Sequence, residues 1–423
     1  MGDEHIKKAS IVSIGNELLN GRTIDTNATY IAGRLRTISL PVVSVHSVPD
    51  EVDAIERALT LATSEADVVV ATGGLGPTDD DLTRQAFARF LGVELVLRPD
   101  LLAKIRQFFD RRGIEMPARN TIQACIPEGA DAIENEMGTA PGVRAQKDGK
   151  LLLSLPGVPT EMRHMFDTLV LPELQSLARG QAIAAKRLRC FGAGESKIAE
   201  MIGDAMQRGR NPLVNCTVQT GVISLEIVAT ANNQAEAEKM VQEEESSLRA
   251  SLGKLVYGVD DQTLAEVVGA ELARVGKTLA VAESCTGGLL AKLITDIPGS
   301  SRYFACGWVT YSNEAKSREL DVPPAMIEEY GAVSEQVARA MAQGARRKAG
   351  TDYAISITGI AGPGGGTEQK PVGLVYIAVG DHDGTDASRF VFSFDRDSVR
   401  VRAAQTALNI LRLKLDLTGP VPI

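Results

Sequence analysis

The sequence is poor in the residues that hold metals or disulfides, with five cysteines and four histidines among 423 residues. The cysteines are widely scattered and odd in number, and none falls with a histidine at the spacing of a zinc site. This scarcity argues against a disulfide framework and a zinc finger, so we expect free thiols that mostly fill cores. The cysteines are Cys125, Cys190, Cys216, Cys285 and Cys306.

Long apolar runs and an excess of positive charge are also missing. No uncharged apolar stretch approaches the roughly 18 residues of a membrane-spanning helix, and the start, MGDEHIKKASIVSIG, lacks the apolar core of a signal peptide. We therefore expect a soluble, cytoplasmic protein without a membrane partner. Lysine and arginine number 45 against 54 aspartates and glutamates, a formal net charge of −9. This balance argues against a surface dominated by nucleic-acid contacts.

The length and the patterning predict three modules. A chain of 423 residues accommodates roughly two to four domains of about 100–200 residues each. Early in the chain, short β-branched runs alternate with helical patterns, which is typical of βαβ units on a parallel sheet. We predict an α/β protein composed of a three-layer N-terminal α/β domain, a small α+β linking domain and a C-terminal α/β domain. The predicted boundaries are 1–170, 171–258 and 259–423.

The stretch VAESCTGGLLAKL, residues 281–293, places a serine, a cysteine and a threonine between a predicted strand and a predicted helix. KTLAVA has the composition of a buried strand, and LLAKLITDI repeats apolar residues at helical spacing. The turn 284–288 therefore leads into a helix start, where N–H groups can hold a phosphate or stabilise an oxyanion. A helix N-cap by Ser284 or Thr286, with glycines that only permit close packing, is the structural alternative.

A serine needs a base to become a nucleophile, and the third module offers a single histidine, His382, in a turn-like GDHDG. A lysine whose pKa is lowered by burial is an alternative base, and Lys316 lies in the first turns of a predicted helix. We predict a dyad of Ser284 and Lys316, with Tyr311 assisting proton transfer or orientation. A solvated lysine on a helix face is the competing interpretation. Cys285 is interpreted as structural, because no histidine is placed to activate it.

Two further segments offer candidate anion contacts. AISITGIAGPGGG predicts a strand that reaches Thr358 and Gly359 and runs into a glycine-rich loop, where backbone amides can approach a phosphate. The loop lacks the lysine of a Walker A motif, which disfavours a P-loop kinase. In DRDSVRVR, Arg396 and Arg400 lie four apart and share one face if the segment is helical. They could meet phosphate or carboxylate, or form a plain surface charge pair.

Together, AESCTGG, VTYSNEAK, GAVSE, SITGIAGPGGG, EQKPVG and the DRD segment resemble the C-terminal domain of the CinA family, a nicotinamide mononucleotide (NMN) deamidase fold. The resemblance covers residues 260–415 and implies hydrolysis of the NMN carboxamide to nicotinate mononucleotide and ammonia, without a metal or other cofactor. It implies Ser284 as nucleophile, Lys316 as base and Tyr311 as a supporting proton-handling group. The substrate-binding candidates are Thr286, Gly287, Asn313, Thr358, Gly359, Arg396 and Arg400. FSFDRD departs from the family pattern, because Phe394 stands where a glycine is expected.

Two loops of the N-terminal module combine glycines with carboxylates. IGNELLNGRTIDTN follows the first predicted strand, and ATGGLGPTDDDLTR follows the third. Both leave the carboxyl ends of predicted parallel strands, the usual ligand edge of an open α/β sheet. Glycines let the backbone approach phosphates and carboxylates can hold a divalent cation, a combination suited to phosphoanhydride chemistry. An acidic helix start is the alternative for residues 79–81. The candidates are Gly73, Gly74 and Gly76 for substrate, and Glu17, Asp25, Asp80 and Asp81 for metal.

These loops, with GTAPG and LPGVPTEM, resemble the molybdopterin-binding-like domain at the head of CinA proteins, over about residues 7–170. The resemblance implies a pyrophosphatase, dependent on Co²⁺ or Mg²⁺, that splits ADP-ribose into AMP and ribose 5-phosphate. Binding of a molybdopterin precursor is a fold-level analogy. The middle module resembles the family's small linking domain and shows no catalytic constellation. We expect small nucleotides as partners, a homodimer and no direct nucleic-acid binding. A non-catalytic nucleotide- or pterin-binding protein of competence or DNA-damage response is the alternative.

Overall fold

The computed structural model describes residues 7–177, 182–393 and 395–415, which divide between two compact units. The first unit comprises the described residues up to 184 together with 230–238, and the second comprises those of 185–229 and from 239 onward. The start of the chain and Phe394 lie outside the described residues. Within the described ranges, every helix is too short or too polar to span a membrane.

The first unit is built on a six-stranded sheet. Its strands are β1 (Ala9–Ile14), β2 (Val42–Val48), β3 (Val68–Thr72), β4 (Leu95–Leu97), β5 (Cys125–Pro127), β6 (Asp131–Ile133), β7 (Gly142–Lys147) and β8 (Lys150–Leu155), of which β4 and β5 form a separate pair. Its helices are α1 (Asn16–Leu19), α2 (Thr26–Thr37), α3 (Val52–Glu65), α4 (Thr83–Leu91), α5 (Pro99–Asp110), α6 (Pro159–Met165) and α7 (Leu171–Leu177).

The order of the six strands is β2-β1-β3-β8-β7-β6. The first four are parallel, as predicted, whereas β7 pairs antiparallel with both β8 and β6. The prediction of a parallel sheet is therefore wrong for β6 and β7. The physical reason is a two-residue turn, in which Asp148 and Gly149 have φ of 49° and 75°. Such a turn reverses the chain directly and leaves no length for a crossover helix.

Alternating side chains of the inner strands form two cores, one on each face of this sheet. Val12 and Val69 pack in a core with residues of α3, α4 and α5. Ile11 and Val70 point to the other face, into a core with residues of α2 and α6. Because successive strand residues point to opposite faces, helices cover both sides of the sheet. The unit therefore has the predicted three-layer α/β architecture.

The remaining chain forms two more sheets and their helices. The strands are β9 (Ala182–Cys190), β10 (Leu213–Gln219), β11 (Val222–Ala231), β12 (Val256–Val259), β13 (Leu279–Glu283), β14 (Phe304–Val309), β15 (Tyr353–Gly359), β16 (Leu374–Gly380) and β17 (Thr385–Val391). The helices are α8 (Glu195–Ile202), α9 (Gln234–Leu252), α10 (Leu264–Val275), α11 (Leu289–Thr295), α12 (Asn313–Leu320), α13 (Pro324–Tyr330), α14 (Glu335–Ala349) and α15 (Arg396–Lys414).

The larger of these sheets has the order β14-β13-β15-β16-β17 and is also covered on both faces. Strands β14, β13 and β15 are parallel, and β16 and β17 are antiparallel to their neighbours. Val281 faces a core with α10, α11 and α15, whereas Ala280 and Ala282 face a core with α12, α13 and α14. The smaller sheet has the order β10-β11-β9-β12. Phe191, directly after β9, and Val222 of β11 pack into the first of these cores. The middle module and the C-terminal module thus share one core.

The close approach of α14 to the end of α12 generates a prediction about stability. A Cβ at Gly344 would overlap the carbonyl of Leu320, a backbone atom that cannot rotate away. We expect Gly344→Ala to destabilise the protein by about 1–3 kcal/mol through overpacking. Gly33→Ala in α2 is the matched control, because its methyl would meet open space and alanine favours a helix. Thermal unfolding followed by circular dichroism should show a lower midpoint for Gly344→Ala only, and equal midpoints for the two variants would contradict the prediction.

Candidate active site

Ser284 lies in the turn between β13 and α11, as predicted. Its N–H donates to the carbonyl of Ile357 on β15 at 2.9 Å, which fixes the turn at the carboxyl end of the sheet. Gly287 and Gly288 have φ of 60° and 91° and redirect the chain into α11. The serine is 8% exposed, so its hydroxyl lies in a largely enclosed setting.

Lys316 reaches this serine from the neighbouring helix α12. Its Nζ lies 3.1 Å from Ser284 Oγ and donates to the carbonyls of Thr310 at 2.8 Å and Tyr311 at 3.4 Å. Ser312 caps the helix by accepting from the N–H of Ala315, so Lys316 falls in the first turn. The lysine is 1% exposed. The interpretation of Lys316 as a solvated surface residue is therefore wrong.

Burial lowers the pKa of Lys316, because it removes water from around the ammonium group. The Cys285 thiol and the Glu314 carboxylate act in the opposite sense but are weaker. A neutral lysine amine has two N–H donors for the two carbonyls and a lone pair for a serine hydroxyl. The arrangement is therefore suited to a base acting on Ser284.

Cys285 is not exposed to a substrate in this turn. Its side chain packs in the core beside α10 and α15. Burial raises the pKa of its thiol to about 12, which disfavours the thiolate needed of a nucleophile. These properties agree with the interpretation of Cys285 as a structural residue.

Glu283, the last residue of β13, is a fully buried carboxylate that the sequence analysis missed. It accepts hydrogen bonds from the N–H groups of Leu290 at 3.0 Å and Ala291 at 2.8 Å. The expectation that the start of α11 is open to a phosphate is thus wrong for these two donors. A glutamate just before a predicted helix start was the available signal, because carboxylates favour helix N-termini.

Arg396 and Arg400 lie one turn apart on α15, as predicted for a helical DRDSVRVR segment. Arg400 donates to the carbonyl of Thr286 from Nη2 at 2.9 Å and from Nε at 3.3 Å. Arg396 donates to the carbonyl of Gly362 at 2.6 Å and to the hydroxyl of Tyr311 at 3.3 Å. The two arginines therefore connect the Ser284 turn, the glycine-rich loop and Tyr311.

The structure places Tyr311 and Thr286 beside the dyad in different ways. Tyr311 is 62% exposed, and its backbone carbonyl, not its hydroxyl, contacts the Lys316 amine. The Thr286 hydroxyl is buried and has no hydrogen-bond partner among the described residues. The Thr286 hydroxyl therefore retains its hydrogen-bonding capacity inside the turn, whereas the Tyr311 hydroxyl lies toward Arg396.

Three predicted substrate-binding residues have surroundings in the structure other than the dyad. Thr358 donates to the carbonyl of Ala332 at 2.8 Å. Gly359 packs tightly on β16, because a Cβ there would lie 2.7 Å from the carbonyl of Leu374. Asn313 lines a cavity of about 810 Å³ beside α12 and α13, whose lining does not include Ser284. None of these contacts involves Ser284 or Lys316.

In the first unit, the predicted glycines form a tight loop after β3. Gly73 and Gly74 have φ of 110° and 64°. A Cβ at Gly73 would overlap the carbonyl of Ile14, and one at Gly76 would overlap the carboxylate of Asp81. The glycines are thus required for the close packing of this loop, whether or not a phosphate binds there.

Arg84 anchors the same loop from α4 and was also missed. It is 1% exposed and donates to the carbonyls of Leu75 at 2.6 Å and Gly76 at 2.7 Å. Burial lowers the pKa of this guanidinium. No sequence signal distinguished Arg84 from a surface helix residue, because its burial depends on the path of the loop.

Asp50, which follows β2 and was not predicted, is near enough to three of the four predicted metal-binding carboxylates for their charges to act on it. Burial raises the pKa of Asp50, and the nearby charges of Glu17, Asp80 and Asp81 raise it further. Asp50 accepts from the N–H of Asn16 at 2.8 Å. The signal was the sequence VPD at the end of the second predicted strand, since parallel strands end at one edge of the sheet.

The fourth carboxylate, Asp25, has a structural bond instead. It caps α2 by accepting from the N–H of Ala28 at 2.8 Å. Asp81 likewise accepts from the N–H groups of Gly76 and Thr78. Across the described ranges, the one group of His, Cys and carboxylate ligands within 4.8 Å of one another is at 381–383, in an exposed turn. The metal site of the first unit thus stays a prediction.

Three family models match the chain in succession. A probable molybdopterin binding domain matches residues 10–176, the damage-inducible protein CinA KH domain matches 185–258, and the CinA C-terminal domain matches 261–415. These matches define a chain that joins a molybdopterin-binding-like domain to a CinA C-terminal domain.

Relatives match along nearly the whole length. A putative competence-damage inducible protein of Caldicellulosiruptor bescii is 42% identical over 96% of this chain and 99% of its own. A CinA-like protein of Dictyoglomus thermophilum is 42% identical over 96% and 98%. The crystal structure of the protein CinA from Thermoplasma acidophilum is 37% identical, covering 40% of this chain and 98% of its own with a TM-score of 0.37. The chain belongs to the CinA family.

The buried amine generates a prediction about pH and stability. The pKa of Lys316 is lower in the folded protein than its unfolded value of about 10.4, so the folded state binds fewer protons and loses stability as the pH falls between these two values. Lys316→Met does not titrate. We therefore expect its unfolding free energy relative to wild type to rise as the pH is lowered from about 10 to about 7.

Chemical denaturation at a series of pH values measures this difference. Lys292→Met, which removes an exposed lysine of α11, controls for the loss of a lysine as such. A difference for Lys316→Met that is constant across the range, or that falls with decreasing pH, would show that the amine does not lose a proton on folding.

Proposed function

We propose that the C-terminal domain, residues 259–423, hydrolyses the carboxamide of NMN to nicotinate mononucleotide and ammonia. The observation that carries the proposal is the 3.1 Å contact between the Lys316 amine and the Ser284 hydroxyl in a buried setting. The family match over 261–415 supports it, because this domain type is the one that the sequence motifs resemble.

In the proposed reaction, the neutral amine of Lys316 accepts the hydroxyl proton while Ser284 Oγ attacks the carboxamide carbon. The carbonyl π bond breaks and leaves a tetrahedral intermediate with a negative oxygen. Lys316, now an ammonium, passes its proton to the amide nitrogen. The C–N bond then breaks and ammonia departs. The acyl group of the substrate remains on Ser284 Oγ as an ester.

Hydrolysis of the ester repeats the same proton transfers with water. Lys316 accepts a proton from a water molecule while the water oxygen attacks the ester carbon. Lys316 then returns the proton to Ser284 Oγ as the C–O bond to the serine breaks. In the turn 284–288, the N–H groups of Cys285, Thr286 and Gly288 are the candidate donors to the negative oxygen, because those of Ser284 and Gly287 donate to backbone carbonyls. The carbonyls of Thr310 and Tyr311 hold the amine in place through each transfer.

Arg396, Arg400 and Thr286 form the proposed binding side of the site. A guanidinium that gives one edge to a backbone carbonyl retains N–H groups for a phosphate. The unpartnered hydroxyl of Thr286 is placed on the same turn as the nucleophile. We assign these groups to the phosphate and ribose of NMN, which leaves the nicotinamide end for the dyad.

For the N-terminal domain, we propose a metal-dependent pyrophosphatase acting on ADP-ribose. Glu17, Asp50 and Asp80 come from three loops at one edge of the sheet, and oxygen ligands of this kind fit Mg²⁺ or Co²⁺. A bound cation would neutralise the pyrophosphate and lower the pKa of a water. Asp81 and Arg84 hold the glycine loop in shape beside it. Asp25 has the weakest support, because it caps α2.

A binding protein without turnover is the second candidate for this domain. This candidate is favoured because the carboxylates of Asp25 and Asp81 both accept hydrogen bonds from backbone N–H groups and so have structural roles. On this reading the nucleotide or pterin would be held by the glycine loop and released unchanged.

The deamidase proposal predicts the effect of single changes in the dyad. Ser284→Ala should lower kcat for ammonia release from NMN by at least about 10³-fold, because no other nucleophile is placed there. Lys316→Arg should lose activity to a similar degree, since a guanidinium retains the charge but cannot accept the proton. In the wild type, kcat/KM should rise with pH through the lowered pKa of Lys316.

Ammonia release is measured with and without EDTA, beside Ser301→Ala as a control that removes an exposed serine. Activity that survives Ser284→Ala would exclude Ser284 as nucleophile. Activity that EDTA removes would exclude the metal-free mechanism.

The pyrophosphatase proposal predicts that AMP forms from ADP-ribose only with added Mg²⁺ or Co²⁺. Asp50→Asn and Asp80→Asn should each lower the rate by about 10-fold or more, because each removes a charge from the cation site. Asp25→Asn retains an oxygen for the cap and separates that role from metal binding. Nucleotide binding without AMP formation at any metal concentration would favour the binding protein instead.

A further inference from the structure

Helix α15 joins the candidate active site to the middle module. Its first turns carry Arg396 and Arg400, which contact the glycine-rich loop and the Ser284 turn. Near its other end, Arg412 is 1% exposed and donates to the carbonyl of Lys254, just before β12, at 2.6 Å. The helix that supplies the proposed binding arginines is thus fastened to the middle module at its far end.

A second attachment lies close to the arginines. Strands β10 and β11 pair antiparallel up to Gln219 and Val222, and the hairpin turns through Thr220 and Gly221, with φ of 47° and 79°. The tip lies directly on the guanidinium of Arg402, which a Cβ at Gly221 would overlap. Only glycine allows this approach, because it combines a left-handed backbone with the absence of a side chain.

The surroundings of Arg402 are apolar and come from both modules. Its guanidinium lies 5.4 Å from the ring centre of Phe191, in the middle module, and 6.0 Å from that of Phe392. Phe191 and Val222 pack in one core with Val399 and Ala403 of α15. Arg402 is therefore held between the hairpin tip and this core.

Arg402 follows Arg400 by two residues, about 3 Å along the helix axis. The rings of Phe191 and Phe392 flank the guanidinium, so part of its displacement passes to the helix backbone, which moves as a rigid body over such a distance. The hairpin tip therefore contacts α15 within two residues of Arg400.

We infer that Gly221 and Arg402 are positioning residues, through which the middle module places Arg396 and Arg400 for the substrate. The inference rests on the proposed deamidase function and assigns the linking domain a part in it. Neither residue contacts the dyad. Their effect should therefore fall on substrate binding more than on bond making.

Gly221→Ala tests the inference, with Gly209→Ala as matched control. Gly209 lies in the same module with φ of 84°, but an added methyl would meet open space. Both variants carry similar backbone strain, and only Gly221→Ala displaces Arg402. We expect Gly221→Ala to raise KM for NMN by about 10-fold while kcat stays within about 2-fold of wild type. Gly209→Ala should have the same KM and kcat for NMN as the wild type.

A double-mutant cycle guards against a general loss of folding. Arg402→Ala alone should also raise KM, because the hairpin then loses its contact with α15. Combined with Gly221→Ala, it should add little, since both changes disturb one contact. Additive effects on KM, with full thermal stability, would overturn the inference.

Hydrogen exchange separates the inference from the proposed function. Amides of residues 396–402 should exchange faster in Gly221→Ala than in Gly209→Ala, whether or not the protein is active. If the wild-type protein releases no ammonia but Gly221→Ala still exchanges faster than Gly209→Ala, the deamidase function is refuted and the positioning of α15 is retained. Exchange and KM equal to those of Gly209→Ala, or faster exchange with unchanged KM, would refute the positioning role.

Discussion

The candidate site depends on a single buried amine. A lysine removed from water is costly unless acceptors surround it or the proton is given up. Here Ser284 Oγ and the carbonyls of Thr310 and Tyr311 surround Lys316 Nζ at 2.8–3.4 Å. Those acceptors exist only because β13 and β14 are parallel neighbours that end at the same edge, with α12 directly after β14. The sheet order, the cap at Ser312 and the burial of Lys316 are thus one structural solution.

Residues from different strands and helices meet around this amine at the carboxyl ends of the strands. Glu283 holds the start of α11 from the sheet side, and Arg400 holds the carbonyl of Thr286 from α15. The turn that carries Ser284 is therefore fixed from both sides before any substrate arrives. Preorganised groups of this kind are the main source of electrostatic stabilisation in enzyme sites. Phe191 and Val222 of the middle module also pack in one core with Val399 and Ala403 of α15, the helix that carries Arg400.

In the first unit, the candidate site also lies at the carboxyl ends of parallel strands, but its groups are less completely assembled. Its carboxylates come from loops after β1, β2 and β3, but several of them also satisfy backbone N–H groups. Repulsion between Asp50 and the charges of Glu17, Asp80 and Asp81 raises the pKa of Asp50 beyond the effect of its burial. A cation would relieve that repulsion, whereas the buried cation Arg84 faces the loop carbonyls instead. Both sheets thus place candidate groups at the ends of three adjacent parallel strands, but they differ in how completely those groups are assembled.

Local patterns in the sequence predicted the strand before Ser284, the helix that carries Lys316, the one-turn spacing of Arg396 and Arg400, and the α/β class. Hydrophobic periodicity and helix caps encode such features within about a dozen residues. Tertiary packing buries Lys316 against Ser284, places Glu283 at the helix start and adds Asp50 to the acidic edge. It also decided that β7 turns back onto β8 and that a hairpin tip meets Arg402. These contacts join residues far apart in the chain, and their geometry follows from strand order and packing, which no local pattern records.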